Sequence, residues 1–239
     1  MKLKSWFLAA SAAAVSTVQL ATAADITGKV TVTGATPDEK VIAPIASDQF
    51  CGKLHTEAVK TRFFVKAADG GLDDVFVHIK DGLTGKTFEA PATPAVLDQV
   101  GCLYQPYILG IQTGQKLVIK NSDPMMHNIN CSPKNPENKP FNEAQMAQGA
   151  DKEKAFTSPE IFVTFQCNVH PWMFAYACVS DNPFFDVTKK GGSFKIANLP
   201  PGKYVIEAIH RKAGKVSKEI TVGADNQTVD LTLEFKPAQ

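Results

Sequence analysis

Side chains that bind soft and borderline metal ions lie close together in one short stretch of the sequence. Cys167, His170 and Met173 occur within Cys-Asn-Val-His-Pro-Trp-Met, and His127 precedes this run by forty residues. A thiolate and two imidazoles suit copper in both the Cu(I) and Cu(II) states, and a weak thioether on the axis tunes its reduction potential. The residue types and their order therefore predict a site for one copper ion.

The candidate ligands must be brought together by β-strands. The apolar alternation of residues 161–166 predicts a strand that ends just before Cys167. The short loop that follows returns His170 and Met173 to the same end of the sheet, and His127 is expected to arrive from a neighbouring strand. The four side chains are thus expected to meet at one end of a sandwich.

Each of these residues has a simpler interpretation when it is taken alone. Met173 is more often a core residue, and an isolated Cys-x-x-His is a weak signal. Zinc is the alternative metal, because one Cys and two His could hold it, although structural zinc sites rarely use Met. A binuclear copper centre would need two Cys in one loop, and only Cys167 lies between Gln166 and Met173. The conjunction of four ligand types in this order favours one copper ion.

Most of the remaining sequence consists of short apolar alternations separated by Gly, Pro, Asn and Asp. This pattern predicts an all-β chain of sandwich type. Further strands are predicted at residues 26–32, 75–79, 117–120, 175–179, 194–197, 204–209 and 229–235. Only residues 142–154, rich in Ala, Gln, Glu and Lys, favour a helix, and they lack a clean apolar face.

The first 23 residues have the features of a secretory signal peptide. Lys2 and Lys4 form a positive start, residues 6–18 are apolar, and Ala21-Thr22-Ala23 supplies a small-residue cleavage site. The apolar run is shorter than the about 20 residues that span a bilayer. We therefore expect an exported protein, periplasmic or secreted, with no membrane span after the signal is removed.

The charge balance and the motif content argue against several classes of function. The chain has 25 Lys and Arg against 24 Asp and Glu, so neither nucleic acid nor an anionic membrane is expected as the main partner. Neither Gly-x-Ser-x-Gly nor His-Glu-x-x-His occurs in the sequence, and no second His-x-His cluster is present, so we expect no enzyme activity. Five Cys in an oxidising compartment are consistent with two disulfides and one unpaired Cys.

The metal motif closely resembles that of a known family. Cys-x-x-His-Pro-x-Met with an upstream His127-Asn128 resembles the ligand set of amicyanin, plastocyanin and pseudoazurin. These are small blue copper proteins with the Greek-key cupredoxin sandwich. The two-residue gap between His170 and Met173 is that of the short-loop amicyanins, and residues 114–123 match the strand before the first His.

A longer stretch, residues 101–210, is similar to the plastocyanin-like or "methylamine utilisation" proteins that bacteria secrete. Members of that group often have His at the position of Tyr107. The similarity covers most of the chain that follows the signal peptide. It implies a bacterial protein in the periplasm or outside the cell.

The resemblance implies a role for each residue of the motif. Cys167 would supply a short, covalent thiolate bond, and Met173 would be the axial ligand. His127 and His170 would ligate through neutral imidazole nitrogens. Asn128 would link the His127 loop to the Cys167 loop, where backbone N–H groups can donate to the sulfur. An apolar rim around an exposed edge of His170 would receive redox partners, and it would consist of Pro171, Trp172, Met125 and Met126.

The other Cys residues lie outside the motif. The resemblance implies a disulfide between Cys51 and Cys102, which would tie the N-terminal segment to the copper domain. A second disulfide would join Cys131 and Cys178 if their Cα atoms came within about 7 Å. The alternative for the second pair is extra thiolate ligation.

The run Gly-x-Phe-x-Ile-x-x-Leu-Pro-Pro-Gly-x-Tyr at residues 192–204 resembles a hairpin of the carboxypeptidase-regulatory/transthyretin-like β-sandwich. Residues 26–34 fit the first strand of such a module. The expected segments are a signal peptide (1–23), an N-terminal β segment that could open the second sandwich (24–90), a cupredoxin copper domain (91–180) and the second sandwich (181–239). Insertion of the copper domain into the second sandwich and consecutive domains both agree with the sequence.

The expected function is electron transfer by a mononuclear type 1 copper protein that cycles between Cu(I) and Cu(II). Its expected partners are redox proteins of the periplasm. One copper whose positions are all taken by side chains leaves no open position for a substrate, which argues against an enzyme. The alternative is a secreted, metal-free β-sandwich module that binds protein or cell-envelope material.

Overall fold

The computed structural model describes residues 22–237, and in this range the chain is built almost entirely of β-strands. The all-β class predicted from the sequence is confirmed. The signal peptide predicted for residues 1–23 falls outside the described residues apart from its last two. Within residues 22–237 no helix is long and apolar enough to cross a membrane.

One short helix and one 3-10 turn precede most of the strands. Helix α1 spans Ala43–Ser47, and the 3-10 turn spans Cys51–Leu54. The strands are β1 (Ala24–Thr33), β2 (Phe76–Asp81), β3 (Ala95–Gln99), β4 (Tyr104–Gln105), β5 (Ile108–Gln112), β6 (Leu117–Asn121), β7 (His127–Ser132), β8 (Phe141–Gln145), β9 (Lys152–Lys154), β10 (Glu160–Gln166), β11 (Phe174–Ser180), β12 (Phe185–Val187), β13 (Ser193–Leu199), β14 (Gly202–His210), β15 (Gly214–Val222), β16 (Gln227–Thr228) and β17 (Leu231–Glu234). The strands predicted from the sequence all occur, as β1, β2, β6, β10, β11, β13, β14 and β17.

Strands from both ends of the described chain pair in two four-stranded sheets, which we call the terminal sheets. In the first, β1 lies between β13 and β16 and also pairs in parallel with β17, with Val30 opposite Leu231. The second has the order β12-β2-β14-β15. Apolar residues of both sheets share one buried core, in which Ile26 and Ile206 are fully buried. The strands β1 and β2 thus complete sheets whose other strands all follow residue 184.

The chain between β2 and β12 forms two further sheets, which we call the central sheets. One has the order β5-β11-β10-β7-β8, and the other has the order β4-β3-β6-β9. The residues between them form a second core, in which Leu97, Ile129 and Phe165 are fully buried. Because β10 is antiparallel to both β7 and β11, the start of β7, the end of β10 and the start of β11 lie at one edge.

A third apolar cluster joins the central sheets to the terminal sheets. Tyr176 and Cys178 on β11 pack there with Phe76 of β2. Tyr107 belongs to the same cluster, since its ring lies edge-on to Tyr176 with the centroids 5.7 Å apart, beneath the guanidinium of Arg62. Tyr107 therefore has a packing role at this junction.

The helix predicted for residues 142–154 is wrong. Strands β8 and β9 occupy this stretch, and β8 pairs with β7 so that Gln145 lies opposite His127. Ala, Gln, Glu and Lys favour a helix, but local propensity is a weak preference that tertiary context overrides. Here the backbone groups of β7 gain hydrogen-bond partners only if residues 141–145 are extended.

The prediction of a second disulfide, between Cys131 and Cys178, is also wrong. Both thiols are free and buried. Strand β10 lies between their strands, so two strand spacings, roughly 10 Å, separate them, whereas a bridge needs Cα atoms within about 7 Å. Burial raises the pKa of both thiols to about 12, so they stay protonated and do not offer extra thiolate ligands.

His210 ends β14 and is a buried histidine that favours the neutral form. The side chain is almost inaccessible, at 4% exposure of the residue. Its Nδ1 accepts hydrogen bonds from the backbone N–H groups of Ala213 at 3.0 Å and Lys212 at 3.3 Å, which a protonated nitrogen could not do. Burial, together with the charge of Arg211, lowers the pKa of His210 to about 4.

Folding stability is therefore expected to fall as the pH drops below about 6.5, the ordinary pKa of an imidazole in an unfolded chain. From there down to a pH of about 4 the unfolded chain binds a proton that folded His210 does not, at a cost of up to about 1.4 kcal/mol per pH unit. Between about pH 7 and pH 5, the free energy of unfolding in urea should fall about 2 kcal/mol further for the wild type than for His210→Asn. An equal fall in both proteins would contradict this assignment.

Candidate metal centre

The loop after β10 is a tight turn that leads directly into β11. The backbone N–H of Cys167 donates to the carbonyl of Met173 at 2.9 Å, and the N–H of Met173 donates to the carbonyl of His170 at 2.9 Å. Gln166 and Phe174 then face each other as partners in the paired strands. These contacts hold the whole motif at one end of the central sheets.

His127 reaches the same end because β7 runs antiparallel to β10, with Asn130 of β7 opposite Gln166. The Nδ1 atoms of His127 and His170 lie 3.0 Å apart, and the Sγ of Cys167 lies 3.7 Å from the Nδ1 of His170. Candidate ligand atoms of these three residues all lie within 4.8 Å of one another, and all three residues are buried. Two imidazoles and one thiol from two separate segments thus converge on one point.

Met173 lies in the same part of the core. Its side chain is fully buried and belongs to the apolar cluster that also contains Cys167. Both of its backbone polar groups bond within the loop, which fixes its position relative to Cys167 and His170. The structure therefore places all four predicted ligand residues at one end of the central sheets.

The surroundings of Cys167 favour its thiolate. Burial raises the pKa of this thiol, but hydrogen bonds from His127 and from backbone N–H groups lower it further, so the net pKa lies below the ordinary value. One of these donors is the N–H of Asn128, 3.4 Å from Sγ. Burial lowers the pKa of His127, but Asp123 and Cys167 raise it to about 8. Burial and the charge of His127 lower the pKa of His170.

Asp123 contacts His127 and is a residue that the motif did not reveal. Its carboxylate accepts the Nε2–H of His127 at 2.8 Å and the backbone N–H groups of Gly101 and Cys102 at 2.6 and 2.7 Å. Gly101 and Cys102 have φ angles of 65° and 54°, and this left-handed backbone turns two successive N–H groups toward one anion. With Nε2–H directed at Asp123, the Nδ1 of His127 is the nitrogen left to bind a metal.

The sequence contained only a weak signal for this contact. An acidic residue precedes His127 by four positions, but its other partners come from a loop about twenty residues upstream. Nothing in the local spacing shows that this loop lies against Asp123.

Asn128 links the start of β7 to the loop that carries the thiol. Its Oδ1 accepts the N–H of Asn168 at 3.2 Å, and its Nδ2 donates to the Oδ1 of Asn142 at 2.7 Å. Its backbone N–H points at the sulfur of Cys167. The side chain therefore holds in register the two segments that supply His127 and Cys167.

Replacing Asn128 with Ala is expected to weaken copper binding by about 10- to 100-fold, the range found for residues that orient metal ligands. Competition with a chelator of known affinity measures this change. Asn130→Ala is the matched control, because Asn130 donates to the side chain of the same Asn168 at 3.1 Å, whereas the backbone N–H of Asn168 is bonded by Asn128. Equal losses in the two variants would assign the effect to the loop as a whole.

The predicted apolar rim is only partly exposed. Pro171 and Met126 are exposed, whereas Met125 and Trp172 are half-buried. His170 itself is only 8% exposed, so the expectation of an exposed His170 edge is wrong. The physical reason is a segment from the N-terminal part of the chain, because Ile45, Cys51 and Cys102 form a buried cluster against Met125 and Trp172.

The disulfide expected between Cys51 and Cys102 is formed, with Cα atoms 5.7 Å apart. Its two sulfur atoms lie within 4.8 Å of a ring nitrogen of His170, so it is a direct neighbour of the candidate metal centre. Both Cys residues are fully buried. The bridge thus connects the N-terminal segment to the side of the centre that was expected to face solvent.

The donor set fits copper. Two imidazole nitrogens, a thiol of lowered pKa and a thioether in the same loop are borderline and soft donors, which copper accepts in both of its oxidation states. The buried surroundings keep these donors away from water. The hydrogen bond of His127 to Asp123 and that of Cys167 from the N–H of Asn128 hold the two side chains in place.

No protein-family model matches this chain, and no curated protein does either. Among solved structures it is similar to a Cu-containing nitrite reductase from Thermus scotoductus SA-01, with 21% identity over 41% of this chain and a TM-score of 0.34. It is also similar to an oxidised point mutant of amicyanin, with 17% identity over 44% of this chain and a TM-score of 0.33. A third similar structure is a purple cupredoxin from Nitrosopumilus maritimus, with 26% identity over 36% of this chain and a TM-score of 0.30. The matches cover 25% of the reductase chain, 98% of the amicyanin chain and 99% of the purple cupredoxin chain.

Proposed function

We propose that this protein is a mononuclear type 1 copper protein of the cupredoxin kind that transfers electrons. The observation that supports this most strongly is the convergence of Cys167 Sγ with ring nitrogens of His127 and His170 within 4.8 Å, in a buried position. The proposed axial ligand is Met173. A bound copper ion would supply one-electron chemistry by cycling between Cu(I) and Cu(II).

The arrangement of the ligands favours electron transfer over substrate chemistry. All four proposed positions are filled by side chains, so no position stays open for a substrate. The ligands lie at the ends of paired strands, and Asp123 and Asn128 hold two of their segments from outside. A rigid donor set changes little between oxidation states, which is what fast electron exchange requires. We therefore propose that the protein is not an enzyme.

The proposed partner is a redox protein of the bacterial periplasm or extracellular space. Two apolar side chains next to ligand residues reach the surface, since Met126 is 40% exposed and Val169 is 48% exposed. Exposed apolar residues around a buried centre are typical of surfaces that bind other proteins. They support docking at this end of the central sheets.

We also propose a domain arrangement in which the copper domain, residues 91–180, is inserted into a second β-module. The support is the pairing of β1 and β2 with strands that follow residue 184. We propose that this second module, from residues 24–90 and 181–239, is of the carboxypeptidase-regulatory type.

Copper titration of the chain without its signal peptide tests the function. One equivalent of Cu(II) should bind and produce an intense visible band from thiolate-to-copper charge transfer, and reduction to Cu(I) should bleach it. Azide should leave the spectrum unchanged, because no coordination position is open. A folded protein that stays colourless with excess copper would exclude the redox function and favour the metal-free β-sandwich module. Tight zinc binding without colour would favour a structural metal site.

A further inference from the structure

Residues 42–59 form a compact loop with a closed neck, which we call the cover. At the neck the N–H of Ile42 donates to the carbonyl of Val59 at 2.8 Å, and the next pair of residues, Val41 and Lys60, forms an antiparallel bridge. The loop contains α1 and the 3-10 turn, and the carboxylate of Asp48 accepts the N–H groups of Phe50 and Cys51. The cover is therefore a folded unit that the chain enters and leaves at one place.

The cover lies directly over the metal centre. Ile45 and Cys51 pack with Cys102 against Trp172. The rings of Trp172 and His170 are neighbours, with centroids 5.2 Å apart. This contact explains why His170 is nearly inaccessible although it lies in a loop between two strands.

Few bonds hold the cover in place. Apart from apolar contacts, the described residues provide the disulfide and one hydrogen bond, between a ring nitrogen of His55 and the carbonyl of Gly101 at 2.7 Å. A Cβ atom at Gly101 would lie only 2.9 Å from the His55 ring, so glycine permits this close approach. A cavity of about 200 Å³ lies behind the neck, between residues 59–63 and Trp172. The cover is thus loosely packed behind its neck, and apart from the backbone at the neck the disulfide is its one covalent attachment among the described residues.

We propose that the cover is a lid on the metal centre and that the Cys51–Cys102 disulfide is its clasp. In the disulfide state the lid stays closed and copper enters and leaves slowly. When a dithiol reduces the clasp, two electrons and two protons convert the S–S bond into two thiols, and the dithiol becomes a disulfide. The lid then opens about its neck, and His170 becomes accessible. This inference rests on the proposed copper function and assigns a control to the same site.

The proposal implies an order of assembly. A chain whose Cys51 and Cys102 are still reduced would take up copper quickly, and oxidation would then close the lid over the loaded centre. Both sulfur atoms are fully buried once the lid is closed, so an attacking thiolate cannot reach them without prior local opening. The closed form therefore protects its own clasp.

Two measurements on Cys51→Ala combined with Cys102→Ala test the lid. The first uses the apoprotein without its signal peptide, in which Trp172 is the sole tryptophan because Trp6 lies in the signal. Acrylamide should quench its fluorescence more strongly in the variant than in the wild type. The second is the rate of Cu(I) transfer from the loaded protein to a chromogenic chelator. It should rise at least about tenfold, since loss of a disulfide constraint shifts local opening by more than one decade.

Cys178→Ala is the control, because Cys178 is buried in the apolar cluster at the junction, which contains no residue of the cover. If the double variant does not fold, wild-type protein reduced with a small dithiol replaces it in both measurements. Equal transfer rates in the open and closed forms would overturn the lid, whatever the quenching shows. If neither the wild type nor the variant binds copper, the copper function is wrong. Stronger quenching in the variant would then still show that the disulfide holds a mobile cover in place.

Discussion

Replacing Cys167 with Ser is expected to lower the affinity for copper by more than about 100-fold, beyond the range found for residues that only orient ligands. It should also abolish the visible charge-transfer band. A serine hydroxyl is a hard donor that stays protonated near neutral pH, so it provides neither the covalent bond nor the soft character that copper prefers. Burial raises the pKa of Cys167, but hydrogen bonds from His127 and from backbone N–H groups lower it further, which favours the thiolate that copper would bind. Competition with a chelator and the optical spectrum measure both effects.

Cys131→Ser is the matched control for this variant. Cys131 is a fully buried thiol in the same apolar core, one strand away, but it lies outside the cluster of ligand atoms and stays protonated. Its replacement should leave copper binding and colour intact, while the buried hydroxyl lowers stability by about 1–3 kcal/mol. If Cys167→Ser still binds copper with an unchanged spectrum, the metal lies elsewhere and the proposed function is wrong.

Replacing Asp123 with Ala is expected to lower the free energy of unfolding of the apoprotein by about 3–5 kcal/mol. The variant removes the acceptor of three buried donors, namely Nε2–H of His127 and the N–H groups of Gly101 and Cys102. Each buried donor that loses its partner costs about 1–3 kcal/mol. Copper affinity should fall as well, because the ring of His127 loses the contact that sets its orientation and tautomer. Urea unfolding measures the first effect and chelator competition the second.

Asp98→Ala is the control for this prediction. Asp98 also accepts hydrogen bonds, but only from the exposed hydroxyl of Ser122, at 2.8 and 3.0 Å. Its removal should change stability by less than about 0.5 kcal/mol, as is usual for surface positions. If Asp123→Ala loses as little stability as Asp98→Ala, the buried donors at Asp123 find water as a substitute. The contact with His127 would then not stabilise the fold.

The metal motif was recognisable in the sequence because its chemistry is local. Cys167, His170 and Met173 lie within seven residues, and one tight loop between two paired strands is enough to bring them together. The predicted strands were found for a similar reason. The side chains of a half-buried strand alternate between two sides, so apolar and polar residues alternate in the sequence. Where this alternation was absent or weak, as in residues 142–154, the helix-favouring composition led to the wrong element.

Two contacts around the motif, those of Asp123 and of the segment over His170, were not recognisable, because they join distant parts of the chain. Asp123 is held by Gly101 and Cys102, and neither residue has a feature that marks it as a donor to a carboxylate. The Cys51–Cys102 bridge was expected, but its position within 4.8 Å of His170 was not. An exposed His170 edge was expected for the same reason, since no local pattern shows that residues 42–59 lie on top of it.

The sequence by itself determined the all-β class, three of the nine central strands (β6, β10 and β11) and the residues that we propose as metal ligands. These properties depend on residue types and on spacings of a few positions, which act through backbone geometry alone. The tertiary structure decided which carboxylate orients His127, which segment covers His170 and how the chain ends pair around the central sheets. Those outcomes depend on contacts between residues that are 51 positions apart at the disulfide and about 200 apart between β1 and β17. Such contacts form only when whole sheets pack and bury their apolar faces together, so no short stretch of sequence specifies them.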